Sequence, residues 1–113
     1  MSDNLINYKE ALERMGGDKE FLEEMLTEIV QQIDQSIVPL QTAIQKADYQ
    51  TIHQTGHGLK GACSNMSLIQ LTRLYKTLEE LGRDGKIGNA QEIITEIKTM
   101  NDELREYMKG PLD

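Results

Sequence analysis

The residues best suited to chemistry lie in one short segment, residues 55–62 (TGHGLKGA). It contains His57 and Lys60, and the other histidine of the chain, His53, lies four residues before His57. An exposed imidazole can act as a nucleophile, bind a metal or titrate in solvent. The segment also holds three glycines, each of which costs roughly 1 kcal/mol relative to alanine inside a helix. This cost indicates that something other than stability requires backbone without side chains around His57.

A helical projection of this segment separates an apolar side from a polar side. At about 100° per residue, the apolar side chains gather in one stripe, which we expect to be buried and which consists of Ile52, Thr55, Leu59, Ala62, Cys63 and Met66. His57 points almost directly away from this stripe, and its neighbours on the outer face include His53, Lys60 and Gly61. The projection therefore predicts an imidazole on the surface with little steric cover.

The next helical pattern along the chain carries a second group of polar side chains. Its apolar stripe consists of Leu71, Leu74, Leu78 and Leu81, with Tyr75 at the edge. Glu79 and Arg83 share a different face of the same pattern. If this helix packs antiparallel to the one before it, both side chains can lie near the level of His57.

Apolar residues recur at steps of three and four almost throughout the chain, and no stretch alternates long enough to predict a strand. Breakers and capping residues divide this pattern into five helices. The predicted helices are a short one over about 7–15, a long one after Asp18 that contains Pro39, one from Asp48 to about Met66, one after Ser67 that ends around Gly82 to Gly85, and one after Asn89 that ends before Gly110. Ser67 with Gln70, and Asn89 with Glu92, have the spacing of capping boxes.

Short connections between long amphipathic helices favour antiparallel neighbours. We therefore predict an all-α fold, an antiparallel four-helix bundle with a short additional N-terminal helix. The chain has 113 residues and no linker or repeat, so residues 1–113 are expected to form a single helical domain.

Composition excludes several classes of function. The chain carries 12 Lys plus Arg against 19 Asp plus Glu, a formal charge of −7, which disfavours nucleic-acid binding because neutralisation of phosphates drives that binding. No apolar run approaches the ~20 residues of a membrane span, and the N-terminus lacks the apolar core of a signal peptide. The single cysteine, Cys63, cannot form an internal disulfide, and a cytoplasmic location is expected. No phosphate-binding loop of the P-loop type is present.

The segment His57-Gly58-Leu59-Lys60-Gly61 matches the H-x-L-K-G signature of histidine phosphotransfer (HPt) domains. These domains relay phosphoryl groups in two-component signalling. The resemblance continues on both sides of the signature, over roughly residues 5–83, whereas the last helix resembles the family only in being amphipathic. It implies a phosphorelay intermediate, which accepts and donates a phosphoryl group on a histidine between receiver-domain aspartates and has no autonomous kinase activity.

The family roles carry over to five positions of this sequence. His57 resembles the phosphorylated histidine, and Lys60 resembles the lysine that stabilises the phosphoryl oxygens. Gly61 resembles the glycine that leaves room for the phosphoryl group and the partner. Glu79 lies where many members have a side chain, often Gln, that hydrogen-bonds the imidazole, and Arg83 lies where some members carry a second cation.

The resemblance also implies the partners. These are response regulator receiver domains, a hybrid sensor kinase, or both, and neither nucleic acid nor a membrane is expected. The chain is expected to act as a monomer without a cofactor of its own, with Mg²⁺ present only on the partner receiver domain. Part of the apolar surface near the N-terminus, which includes Leu12 and Met15, is a second candidate contact with the receiver.

Three alternatives remain at this point. The His57 face could be a docking surface of a helical adaptor without phosphotransfer chemistry. His53 and His57 have a spacing used by zinc ligands, with Glu79 as a third donor; otherwise His53 is a surface residue that tunes the charge of the site. Glu79 could also pair with Arg83 or Lys76 on its own helix.

Overall fold

The computed structural model describes residues 5–112, and five helices lie entirely within that range. They are α1 (Tyr8–Arg14), α2 (Lys19–Gln45), α3 (Tyr49–Asn65), α4 (Ile69–Arg83) and α5 (Ala90–Tyr107). No strand occurs within this range, so the all-α prediction is confirmed. Residues 1–4 and 113 of the predicted single domain lie outside the described part.

The four long helices form an antiparallel bundle about 41 Å long and 22 Å across, with α1 packed beside α2. The most extensive contact joins α3 to α4. Pro39 lies inside α2, which continues to Gln45, so this proline does not end the helix. None of the described helices is long and apolar enough to cross a membrane.

Side-chain caps begin the first three helices. The carboxylate of Asp18 accepts a hydrogen bond from the backbone N–H of Phe21 at 3.0 Å, and Asp48 accepts one from Thr51 at 3.2 Å. Each bond satisfies a donor that the helix itself leaves unpaired. These two caps were predicted. A third begins α1, where the side chain of Asn7 accepts a hydrogen bond from the backbone N–H of Glu10.

The two capping boxes predicted from sequence are wrong. Leu68, not Ser67, is the N-cap residue of α4, and it makes no side-chain cap bond. Ser67 has a positive φ of 55°, and its hydroxyl donates instead to the Glu10 carboxylate at 2.7 Å. Asn89 is the N-cap residue of α5, but its side chain makes no cap bond.

The core is aliphatic apart from one aromatic ring. Its largest fully buried side chains are Tyr75, Leu22, Leu26, Ile33, Leu40, Ile52, Met66, Leu68, Leu71, Leu78, Ile94 and Ile97. Tyr75 was expected at the edge of the apolar stripe of α4, but it is fully buried, and Ser36 of α2 satisfies its hydroxyl across 3.3 Å. Burial raises the pKa of the Tyr75 phenol.

Two glycines set the spacing between α3 and α4. A Cβ atom on Gly56 would lie 2.6 Å from the backbone nitrogen of Glu79, and one on Gly82 would overlap the backbone of His53. Real Cβ atoms do not approach other atoms so closely, so any larger residue at either position would push the helices apart. The two glycines therefore bring α3 and α4 together along the segment that carries both histidines.

Candidate functional site

His57 lies in the middle of α3 on the outer surface of the bundle. Its side chain is 69% exposed. Cβ atoms placed on Gly58 or Gly61 would meet nothing within 4 Å. The imidazole is thus open to solvent and to a partner molecule, as the helical projection predicted.

Glu79 of α4 connects His57 to Lys60. One carboxylate oxygen lies 2.5 Å from the Nδ1 of His57, and the other lies 2.7 Å from the Lys60 ammonium. The Glu79 side chain is only 14% exposed, so both oxygens interact with protein groups rather than chiefly with water. The structure therefore brings together three of the predicted site residues from two helices.

The hydrogen bond to Glu79 determines which ring nitrogen of His57 carries a proton. The pKa of Glu79 is lowered to about 2, first by its hydrogen bond from Lys60 and then by that from His57. At neutral pH this carboxylate is ionised and can only accept hydrogen bonds. The Nδ1 of His57 must then carry the proton, which leaves a lone pair on Nε2 in the neutral ring. A neutral imidazole with a free Nε2 is a nucleophile.

His53 contacts the same glutamate from one turn earlier in α3. Its Nδ1 lies 3.1 Å from the backbone carbonyl oxygen of Glu79. Its ring is nearly parallel to that of His57, with an angle of 18° between the planes and 6.4 Å between the ring centres. Sequence reasoning missed this contact because it depends on the close approach of α3 and α4.

Arg83 does not join the cluster. Its guanidinium pairs with Asp84, the next residue, at 3.0 Å, and its side chain is 61% exposed. Asp84 raises the pKa of Arg83, and the charge of Glu79 adds only a smaller effect. The alternative in which Glu79 pairs with Arg83 or Lys76 on its own helix is also wrong, since Lys60 is its partner.

The glycines around His57 have two different roles, where sequence reasoning assigned one. Gly58 and Gly61 border open space, whereas Gly56 is buried against α4. A signal for this difference was present in the sequence. Gly56 continues the spacing of Ile52, Leu59 and Cys63 along the buried stripe, four residues after the first and three before the second.

Two further groups bear on metal and thiol chemistry. Within residues 5–112, no three His, Cys, Asp or Glu side chains are grouped so that they could hold a metal ion. Cys63 is fully buried, as predicted for a core residue. Burial raises the pKa of its thiol to about 12, so the thiol stays protonated at neutral pH.

Comparison with protein families gives a match to the model of the Hpt domain over residues 19–107. The chain belongs to the Hpt domain family. This family carries phosphoryl groups on histidine, so the histidine phosphotransfer function predicted from sequence is confirmed. Hpt proteins act as phosphoryl carriers rather than kinases, and they interact with receiver domains and kinases of phosphorelays.

A solved structure gives the same fold. The crystal structure of histidine-containing phosphotransfer protein B from Pseudomonas aeruginosa PAO1 superposes with a TM-score of 0.83. The two chains share 24% sequence identity over 96% of this chain and 94% of the other. The comparison with curated proteins returned no match.

Proposed function

We propose that His57 is the residue that carries the phosphoryl group, and that the group is attached to Nε2. The observation that supports this most directly is the hydrogen bond between its Nδ1 and the ionised carboxylate of Glu79. That bond leaves the lone pair on Nε2, and the 69% exposure of the side chain leaves this nitrogen accessible to a receiver.

The chemistry needs no other reactive group from this chain. The Nε2 lone pair attacks the phosphorus of a receiver aspartyl phosphate, an N–P bond forms, and the P–O bond to the aspartate breaks to release its carboxylate. The imidazole acquires positive charge as the N–P bond forms, and the Glu79 carboxylate stabilises that charge. Transfer to the next receiver is the reverse reaction with a different aspartate.

Lys60 and Gly61 lie on the His57 side of α3 and support the transfer in different ways. An ammonium has three N–H donors, and the bond to Glu79 uses one of them. We assign the other two donors to the phosphoryl oxygens, because stabilisation of the charge on these oxygens is the main catalytic effect in phosphoryl transfer. Gly61 leaves open space next to Lys60, which admits the phosphoryl group and the partner. Because Arg83 pairs with Asp84, its part is limited to long-range attraction.

The partner that fits this surface is a receiver domain, and Mg²⁺ would come with that partner. Close to the C-terminal half of α3 lies a groove of about 500 Å³, whose mainly apolar lining includes Met15, Phe21, Met25 and Ala62. Phe21 is 43% exposed, more than a core residue would be. We propose that the receiver covers this groove and the His57 face together. In this proposal the chain acts as a cytoplasmic monomer without autonomous kinase activity.

Intact-mass spectrometry after exposure to phosphoramidate, or to a phosphorylated receiver, tests the assignment. We expect one acid-labile phosphoryl adduct on the wild type and on His53→Gln, and none on His57→Gln. An adduct that persists on His57→Gln would contradict the assignment. If instead the wild type takes no phosphoryl group from a receiver that phosphorylates another Hpt domain, and His57→Gln keeps its cellular function, the adaptor alternative is supported.

A further inference from the structure

His53 makes a hydrogen bond between α3 and α4 at the residue that orients His57. A backbone carbonyl can only accept, so the contact of 3.1 Å with the Glu79 oxygen requires a proton on the Nδ1 of His53. Inside a helix this carbonyl already accepts from the backbone N–H four residues later. The bond from His53 is therefore an additional one that links two helices.

Side chains of α3 thus bind both the backbone and the side chain of Glu79. Its carbonyl oxygen accepts from His53, and its carboxylate accepts from His57 and Lys60. The backbone of His53 lies tightly against Gly82, which leaves His53 little freedom to move away from α4. The near-parallel planes of the two imidazoles, 18° apart, follow from this arrangement, since each ring directs its Nδ1 at the same residue.

We propose that His53 is a positioning residue for phosphotransfer. Its Nδ1–H holds the main chain of Glu79 at the height where the carboxylate can keep His57 in the Nδ1–H form with a free Nε2. His53 itself contacts none of the reacting atoms. The inference rests on the proposed role of His57. It adds a residue that lies outside the H-x-L-K-G signature.

Two substitutions separate the hydrogen bond of His53 from its bulk. His53→Phe keeps a ring of similar size but removes the donor. His53→Asn loses the ring but places an amide N–H near the former position of Nδ1. Melting followed by circular dichroism establishes that both variants are folded. The ¹⁵N chemical shifts of the His57 ring, measured on the unphosphorylated protein, report which ring nitrogen carries the proton.

In the wild type we expect both histidines in the Nδ1–H form. In His53→Phe we expect a mixture of the two His57 tautomers and a rate of phosphorylation by phosphoramidate lower by about threefold to tenfold, the effect of one net hydrogen bond. His53→Asn should restore both the tautomer and most of the rate. If the ring of His53 served only to fill space, the phosphorylation rate of His53→Phe would be closer to that of the wild type than the rate of His53→Asn.

Three results would overturn the proposal. The first is an Nε2–H tautomer of His53 in the wild type, a test that needs no variant to fold. The others are an unchanged His57 tautomer and phosphorylation rate in His53→Phe, or a His53→Asn variant whose tautomer and rate are no closer to the wild type than those of His53→Phe. The tautomer measurement involves no phosphorylation. It therefore stays interpretable if phosphorylation is found on a residue other than His57, a result that would contradict the proposed function instead.

Discussion

The backbone of Gly56 lies directly against the backbone of Glu79, with room for hydrogen alone where another residue would carry its Cβ atom. This contact sets the distance from α3 to α4 at the point where Glu79 reaches His57 and Lys60. The spacing of the two helices thereby determines whether Glu79 can form its hydrogen bond with His57.

Gly56→Ala should destabilise the fold and slow the phosphorylation of His57. The added methyl group would stand 2.6 Å from the Glu79 nitrogen. Because the clash is with backbone atoms, we expect an overpacking cost in the upper part of the range of about 1–3 kcal/mol, which exceeds the ~1 kcal/mol that alanine gains in helix propensity. Urea denaturation and phosphoramidate kinetics measure the two effects. Gly58→Ala is the matched control, since its Cβ would meet open space; it should raise the free energy of unfolding by about 0.5–1 kcal/mol. Equal stability of the two variants would refute the packing role of Gly56.

The stabilising effect of Glu79 should depend on pH in a defined direction. Its pKa falls from the ordinary glutamate value of 4.5 to about 2 in the folded chain, so its contribution is present above about pH 4.5 and is lost as the pH drops through about 2. Denaturation of the wild type and Glu79→Gln across this range should show a difference that shrinks on acidification. Glu80→Gln, on the same helix but outside the cluster, is the control for the loss of one negative charge from α4. A difference between the wild type and Glu79→Gln that stays constant with pH would count against the ion pair as its source.

Replacing the capping residue of α3 should cost more than replacing the residue at the same position of α5. Asp48 accepts from both the backbone N–H and the hydroxyl of Thr51, whereas Asn89 makes no cap bond. We expect Asp48→Ala to lower the free energy of unfolding by about 0.5–2 kcal/mol and Asn89→Ala by less than about 0.5 kcal/mol. Urea denaturation of the two variants provides the comparison, and an equal loss would show that the Asp48 bonds contribute little.

Ser67 should respond differently to alanine and to glycine. Its hydroxyl binds Glu10 at 2.7 Å, and its φ is 55°, a conformation that glycine adopts without strain. Ser67→Ala loses the hydrogen bond and keeps the strain, so we expect a loss of about 1 kcal/mol. Ser67→Gly also loses the bond but relieves the strain, and it should be more stable than the alanine variant by roughly 1 kcal/mol. If alanine proves the more stable of the two in urea denaturation, the strain at Ser67 is not significant.

Features that depend on one helix could be predicted from the sequence. The periodicity of apolar residues gave the helices and the outward direction of His57, and the side chains of Asp18 and Asp48 act on residues only three positions away. Ser67 was misread because a capping box and a left-handed turn use the same polar residues. In the structure the Ser67 hydroxyl binds Glu10, which is far away in sequence.

Features that depend on two helices were less accessible. The hydrogen bond of His53 and the packing of Gly56 both depend on a distance between helices that no single-helix pattern contains. The family resemblance supplied the role of Glu79 toward the imidazole, whereas its pairing with Lys60 emerged only from the three-dimensional arrangement.

If His57 carries the phosphoryl group, as proposed, its exposure on the outside of a helix has a consequence for the lifetime of that group. A nitrogen that projects from a convex surface has no walls of its own to exclude water. In that role the receiver domain would supply the enclosure in which the phosphoryl group moves. Between two encounters the phosphohistidine would be open to hydrolysis, so the intrinsic stability of its N–P bond in water would set the interval that the chain can bridge.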